Sequence, residues 1–419
     1  MQMSIGILTV VAVLAFYLAF NLGANDVANA MGTSVGSKAV SLRQALIIAG
    51  ILEFAGAVLF GREVTQTLAT GIANPVLFAD TPFVLVTGMV SVLVACGLWL
   101  QIATSRGLPV SSSHAVVGAI AGFSWVALGV SAIDWSSIKL ITIGWVLTPI
   151  ISGIIAALFY SIIQRWILNH PNQIIQLNEW IPWLSAALIS IFGVIVLPTL
   201  THPIAMFFIE RLGVKLPFHD ISIFTGAFAV VGLTVYNWRQ LEKGQGESNN
   251  SSVEKIFGRY QLLSACFVAF AHGSNDVGNA IAPLATIVYT IRNNSVPLGQ
   301  IDIPLWILVL GAAGIVTGLA ILGKKVIATI GESIITLQPS SGFCAELATA
   351  TTILLASRLG LPVSTSHALV GGVVGIGLVK EVKSIKFSTL QNIAAAWVVT
   401  VPISAGLSAL IFTLLKLVF

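Results

Sequence analysis

Two aspartates sit where charge is costly. Asp26 lies in the stretch GANDVANAMG, residues 23–32, and Asp276 in GSNDVGNAIA, residues 273–282; each follows a long apolar run. An aspartate near the middle of a membrane costs about 3 kcal/mol on insertion scales. A bound cation would offset that cost. Sodium prefers oxygen ligands, which carboxylates, asparagine carbonyls and freed backbone carbonyls supply. On a helix, residues four apart share a face, so Asn25 pairs with Asn29 and Asn275 with Asn279 beside the acid. The candidate sodium ligands are therefore Asn25, Asp26, Asn29, Asn275, Asp276 and Asn279. Gly23 is expected to let its helix break and expose carbonyls. A plain polar contact between helices, with a protonated aspartate, explains one copy better than two in matched positions.

A second motif is also doubled. Residues 105–118 read SRGLPVSSSHAVVG and residues 357–371 read SRLGLPVSTSHALVG. Pro109 and Pro362 stop what precedes them, Ser and Thr are preferred N-caps, and an apolar, glycine-rich run follows each block. A helix start offers unpaired N–H groups and about half a positive charge, a ready anion site. The candidate anion-binding hydroxyls are Ser111, Ser112, Ser113, Ser364, Thr365 and Ser366, with Ser105 and Ser357 just ahead of the blocks. Simple capping accounts for a single copy; three successive hydroxyls, twice, favour an anion. His114 and His367 read as neutral imidazoles bonded to neighbours, because a cation is disfavoured in a first helical turn. Arg106 and Arg358 precede the blocks and could clamp an anion, but read more plainly as snorkelling charges at helix ends; Arg62 and the run Lys324–Lys325 read as interfacial charges. Two further acids, Glu53 and Glu346, lie in apolar runs and are not repeat mates; they are candidates for coupling or gating, against the plainer reading of protonated, hydrogen-bonded carboxyls.

The elements that must position these residues are membrane helices. Of 419 residues, 56% are hydrophobic and 9% charged, with a mean hydropathy of +0.96. Soluble domains carry about 25% charged residues, and apolar runs of spanning length, roughly 20 residues, recur throughout. The net charge of +4 is scattered over loops and does not suggest nucleic acid. Cys96, Cys266 and Cys344 lie in separate apolar runs and read as buried thiols. The first apolar stretch lacks a basic leader and contains the first motif, so it reads as a retained helix.

The two motifs recur in the same order at near-constant offset, joined by a third match, GWVLTP from Gly144 and AWVVTVP from Ala396. The chain therefore divides into a first repeat over 1–165, connecting helices over 166–238, a polar loop over 239–259 and a second repeat over 260–419. The basic central loop is placed in the cytoplasm by the positive-inside rule. The loop after the first motif holds Lys38 and Arg43, whereas the matching loop of the second half holds Arg292 and Asp302; after the second block the bias reverses, with Lys380, Lys383 and Lys386 in the second half only. Equivalent loops of opposite bias imply inverted topology, as in many secondary transporters. The expected fold is an all-α polytopic membrane protein of two inverted repeats with broken or re-entrant helices, both termini outside.

Paired GANDVAN-like motifs with paired GLPVS(S/T)(S/T)H blocks resemble the inorganic phosphate transporter (PiT) family, over nearly the whole chain except the central loop and the spans around 166–238. GANDVANAMGTSVGSKAVSLRQA is especially similar to the sodium-coupled branch; AHGSNDVGNAIAP departs in having Gly278 where the first motif has Ala28. The resemblance implies about twelve spans, a plasma-membrane symporter of inorganic phosphate driven by sodium or protons, a homodimer, and functional acids at Glu53 and Glu346. Sodium is then a co-substrate, and no cofactor is expected. The alternatives are a proton-coupled phosphate carrier or a sulfate carrier on the same fold. An enzyme built on Ser113 and His114 is disfavoured, since adjacent helical residues point apart and there is no nucleophile elbow, zinc motif or nucleotide loop.

Overall fold

The computed structural model describes residues 5–108, 110–212, 218–243, 249–330 and 335–418. Pro109 and residues 244–248 of the polar loop lie outside the described residues. The described chain is helical. In order the helices are α1 (Ile5–Gly36), α2 (Leu42–Phe60), α3 (Arg62–Thr70), α4 (Pro82–Ser105), α5 (Ser112–Leu128), α6 (Trp135–Ile163) and α7 (Gln173–Ile195). There follow α8 (Leu197–Leu212), α9 (Phe218–Lys243), α10 (Asn249–Asn293), α11 (Leu305–Ile330), α12 (Pro339–Arg358), α13 (Thr365–Lys380) and α14 (Phe387–Val418). Among the described residues eight helices are long and apolar enough to cross a membrane, and α5 and α13 are shorter apolar helices. The protein is a multi-pass membrane protein, as its composition demands.

Local sequence sets the ends. Ser41 and Gln44 form a reciprocal capping box that starts α2. Asp134 caps α6 by accepting from the amides of Ser136 and Ser137 at 3.0 and 3.1 Å. Its partial burial alone would raise its pKa, but the hydrogen bonds from Ser136 and Ser137 outweigh that and hold the carboxyl below the usual range. Pro82 and Pro339 open α4 and α12 in the first turn, where no amide partner is lost.

The helices carrying the doubled motifs pack across the halves. The first motif's helix, α1, lies mainly on α11, and the second motif's helix, α10, packs on α2; likewise α5 packs on α14 and α13 on α6. Close approach needs small residues. A Cβ on Gly23 would collide with the carbonyl of Ile315, and a Cβ on Gly273 would collide with the carbonyl of Glu53. This corrects the expected helix break. Both α1 and α10 run unbroken through their Asn-Asp motifs, and Gly23 serves to seat α11 instead. The interruptions occur elsewhere, at residues 106–111 and 359–364, between α4 and α5 and between α12 and α13.

Candidate functional site

The two interruptions are built alike. Gly107 and Gly360 adopt φ of +65° and +66°, the left-handed region that favours glycine. Four residues on, Ser111 caps α5 and Ser364 caps α13, each side chain accepting from a histidine amide, His114 or His367, at 3.3 Å. Capping is therefore real in both copies, and it uses the first hydroxyl of each block.

The asparagines hold these turns in place. Asn25 Nδ2 donates to Thr104 Oγ1 at 2.8 Å and approaches the Leu108 carbonyl at 3.5 Å. Asn275 Nδ2 donates to Ser357 Oγ at 3.1 Å and to the Leu361 carbonyl at 3.2 Å. The structural mate of Ser357 is thus Thr104, not Ser105. The exposed Ser105 hydroxyl bonds back to the Ile102 carbonyl, away from the motif. The Ser-Arg pairs that look alike in sequence are one register apart once the glycines are superposed.

Between the turns lie the aspartates, 2% and 0% exposed. Asn29 donates to Asp26 Oδ1 and Asn279 to Asp276 Oδ1, both at 3.3 Å. The two copies then meet: Asn279 Nδ2 also donates to Ser112 and Ser113, both at 3.2 Å, and Thr365 donates to Asp276 Oδ2 at 3.1 Å. Ser113 gives its own proton to the Val363 carbonyl at 2.8 Å. Ser366 stays within its block, 2.9 Å from Ser364. The starts of α5 and α13 therefore converge on the aspartates from both halves. Among the described residues, Asp26 Oδ2, Asn275 Oδ1 and Asn279 Oδ1 are buried oxygens without a donor. Acceptors left without donors in a dry interior are costly, and a cation would satisfy them.

Sequence reasoning missed the group nearest this cluster. His272 Nε2 is 2.8 Å from Asp276 Oδ2, and its Nδ1 is 3.2 Å from Glu53 Oε1, all three residues 0% exposed. These are ion-pair distances, but off line for hydrogen bonds, so neither Glu53 oxygen has a donor. Ligand atoms of Asp26, His272 and Asp276 lie within 4.8 Å of one another. The signal was present as a histidine one helical turn before Asp276, where the first motif has Leu22.

Glu346 occupies a separate cage. Thr33 and Ser34 donate to Oε1 at 2.6 Å, Gln261 to the same oxygen at 3.1 Å, and Ser264 to Oε2 at 2.7 Å. It ties α12 to the end of α1 and the start of α10. His114 and His367 take the neighbourly role expected: their Nδ1 atoms meet the carbonyls of Trp397 and Trp145 at 3.2 and 3.0 Å. Arg358 is more than an interfacial charge, since it donates to the Ile195 carbonyl and Thr199 Oγ1 at 2.6 and 2.7 Å and lies over the Phe60 ring.

Comparison with known proteins identifies the family and the fold. The profile of the phosphate transporter family matches residues 22–408. A Haemophilus influenzae protein named as a phosphate permease is 39% identical, covering 98% of this chain and 97% of its own. The Arabidopsis thaliana protein named inorganic phosphate transporter 2-1, chloroplastic, is also 39% identical, covering 95% of this chain and 70% of its own. A solved structure described as the sodium-dependent phosphate transporter superposes with a TM-score of 0.88 at 37% identity, covering 99% of this chain and 100% of that one.

Proposed function

This chain belongs to the phosphate transporter family, and from that premise we propose that it carries inorganic phosphate together with sodium by alternating access. It is a transporter and not an enzyme. The observation that supports sodium coupling most directly is the set of buried, donorless oxygens on Asp26, Asn275 and Asn279 beside a second aspartate.

Charge balance sets the order. Phosphate carries between one and two negative charges, and the site already holds Asp26 and Asp276. Two helix starts offer only about +1 between them. Phosphate is therefore repelled from an empty site. Sodium at the aspartates removes the repulsion, so sodium binds first and phosphate follows, held by the free amides of the α5 and α13 starts and by the hydroxyls of Ser112 and Thr365. Linkage then requires each to tighten the other, typically by about 1–3 kcal/mol. The exchanged packing of the two repeats, read with the opposite loop charges, supports inverted topology. In that reading residues 36–43, 239–259 and 379–386 face the cytoplasm of a plasma-membrane protein with both termini outside. The neutralised, loaded site passes across while the half-loaded one stays. A homodimer is the expected assembly.

One observation favours a second reading. His272 between Glu53 and Asp276 provides a titratable cation in the place a coupling ion would occupy, so protons are the alternative driving ion. Calorimetric phosphate binding across sodium concentrations at fixed ionic strength, repeated at several pH values, separates the two. Affinity that climbs with sodium is expected. Equal affinity in sodium and choline, rising instead as pH falls, would replace sodium by the proton.

A further inference from the structure

A groove of about 640 Å³ runs between α2 and α11 on the outer surface of the bundle, and none of the proposed sodium or phosphate ligands lines it. One wall is a continuous stripe of α2: Arg43, then Leu46, Ile47, Gly50, Ile51 and Phe54. The other wall is Val316, Leu319 and Ala320 of α11. The walls are apolar along their length and basic at one end. Arg43 is exposed in the first turn of α2. The exposed Lys324 continues the α11 stripe one turn beyond Ala320, level with Leu46, against which the neighbouring Gly323 packs.

We propose that this groove binds one anionic phospholipid of the leaflet nearest residues 36–43, its headgroup phosphate between Arg43 and Lys324 and an acyl tail along the apolar walls. The charge pattern selects this occupant. A second copy of the chain would have to cover two exposed cations, whereas a lipid phosphate neutralises them while its tail fills the apolar part. Basic residues at a headgroup-level cleft between membrane helices are the physical signature of anionic-lipid recognition. The start of α2 adds amides that favour an anion at the same end. At the base of the groove Gly50 leaves room: a Cβ there would meet Val316 Cγ1 at 3.5 Å, ordinary contact. Glu53, three residues beyond Gly50 on the adjoining face of α2, lies 3.2 Å from His272. A tail wedged between α2 and α11 therefore bears on the helix that holds the acid beside the transport site.

The test is native mass spectrometry of the full chain, purified in detergent and exposed to equimolar phosphatidylglycerol and phosphatidylcholine. Wild type should retain one phosphatidylglycerol in preference to phosphatidylcholine. Arg43→Ala with Lys324→Ala should cut that retention at least tenfold. Gly50→Leu, which fills the groove and leaves both cations in place, should lower retention of both lipids. The proposal is overturned if wild type holds the two lipids equally, or if the double variant retains phosphatidylglycerol unchanged. It is also overturned if Ile51→Cys, in a background without the native cysteines, cross-links two copies across the groove. None of these readouts depends on which ion drives transport.

Discussion

His272 Nε2 stands 2.8 Å from Asp276 Oδ2, while the equivalent position in the first motif is the apolar Leu22. The break in symmetry extends to the partner. Gly273 seats on Glu53 as Gly23 seats on Ile315, so Ile315 is the structural mate of Glu53. One half places an acid and an imidazole where the other places two aliphatic side chains. The pair is thus dispensable for packing, and its presence calls for a role in transport.

That reasoning gives a double-variant test. Glu53→Ile with His272→Leu rebuilds the aliphatic contact of the other half. The double variant should fold with wild-type or higher thermal stability, because replacing a buried ionic pair by packed apolar groups is often neutral or stabilising by about 1–4 kcal/mol. Each single variant strands one buried polar partner, and should be less stable than the double. Phosphate uptake into proteoliposomes should nevertheless collapse in the double variant. Full uptake would make the pair a packing accident.

The two aspartates should respond differently. Asp276 receives Asn279 and Thr365 and has His272 alongside, whereas Asp26 receives Asn29 and keeps one oxygen without a donor. Asp26→Asn should leave thermal stability nearly unchanged. Asp276→Asn should cost about 1.5–3 kcal/mol, the worth of a hydrogen bond to a charged group. Both should abolish the sodium dependence of phosphate binding measured by calorimetry. Retained dependence in Asp26→Asn would move the sodium site elsewhere.

The hydroxyls divide by role within each block. Ser111→Ala and Ser364→Ala remove N-caps and should cost about 1 kcal/mol of stability each. Ser112→Ala and Thr365→Ala leave the caps intact and should each weaken phosphate binding roughly tenfold; Ser112→Ala should barely change the melting temperature, whereas Thr365→Ala also loses the hydrogen bond to Asp276 and should melt lower. The opposite pattern, with binding lost only in the cap variants, would return the blocks to structural capping.

Much of this site was legible in the sequence because it is written twice. The repetition marked Asp26, Asp276 and the Ser/Thr blocks, and the apolar composition fixed an all-helical membrane fold. What escaped has no duplicate. His272 has Leu22 as its mate, and the four donors around Glu346 come from residues 33, 34, 261 and 264, which only tertiary packing brings together. The assignment of Ser105 beside Ser357 slipped by one register for a local reason: matching Ser-Arg pairs outweighed the glycines whose positive φ sets the turn. The expected break at Gly23 failed because glycine also serves close helix contact, and sequence alone cannot tell the two uses apart.

The two turns are not equally restrained, and this predicts which one moves. At the α12–α13 turn, Arg358 is bonded to the Ile195 carbonyl and Thr199, and Gly360 is buried, packed near Thr67 and Glu63 of α3. At the α4–α5 turn, Ser105, Arg106, Gly107 and Leu108 are all exposed, and a Cβ on Gly107 would meet nothing within 4 Å. Arg358 therefore acts as a latch on one turn, with no counterpart on the other, since its register mate is Ser105. In a background lacking Cys96, Cys266 and Cys344, Leu108→Cys should react readily with a water-soluble maleimide and Leu361→Cys slowly. Arg358→Ala should then speed labelling at residue 361 about tenfold, corresponding to about 1.4 kcal/mol of lost restraint, and leave residue 108 unchanged. Excess phosphate with sodium should slow both, because the ligands draw the two helix starts onto a common centre. Unchanged labelling at residue 361 in Arg358→Ala would show that the contacts to Ile195 and Thr199 restrain nothing.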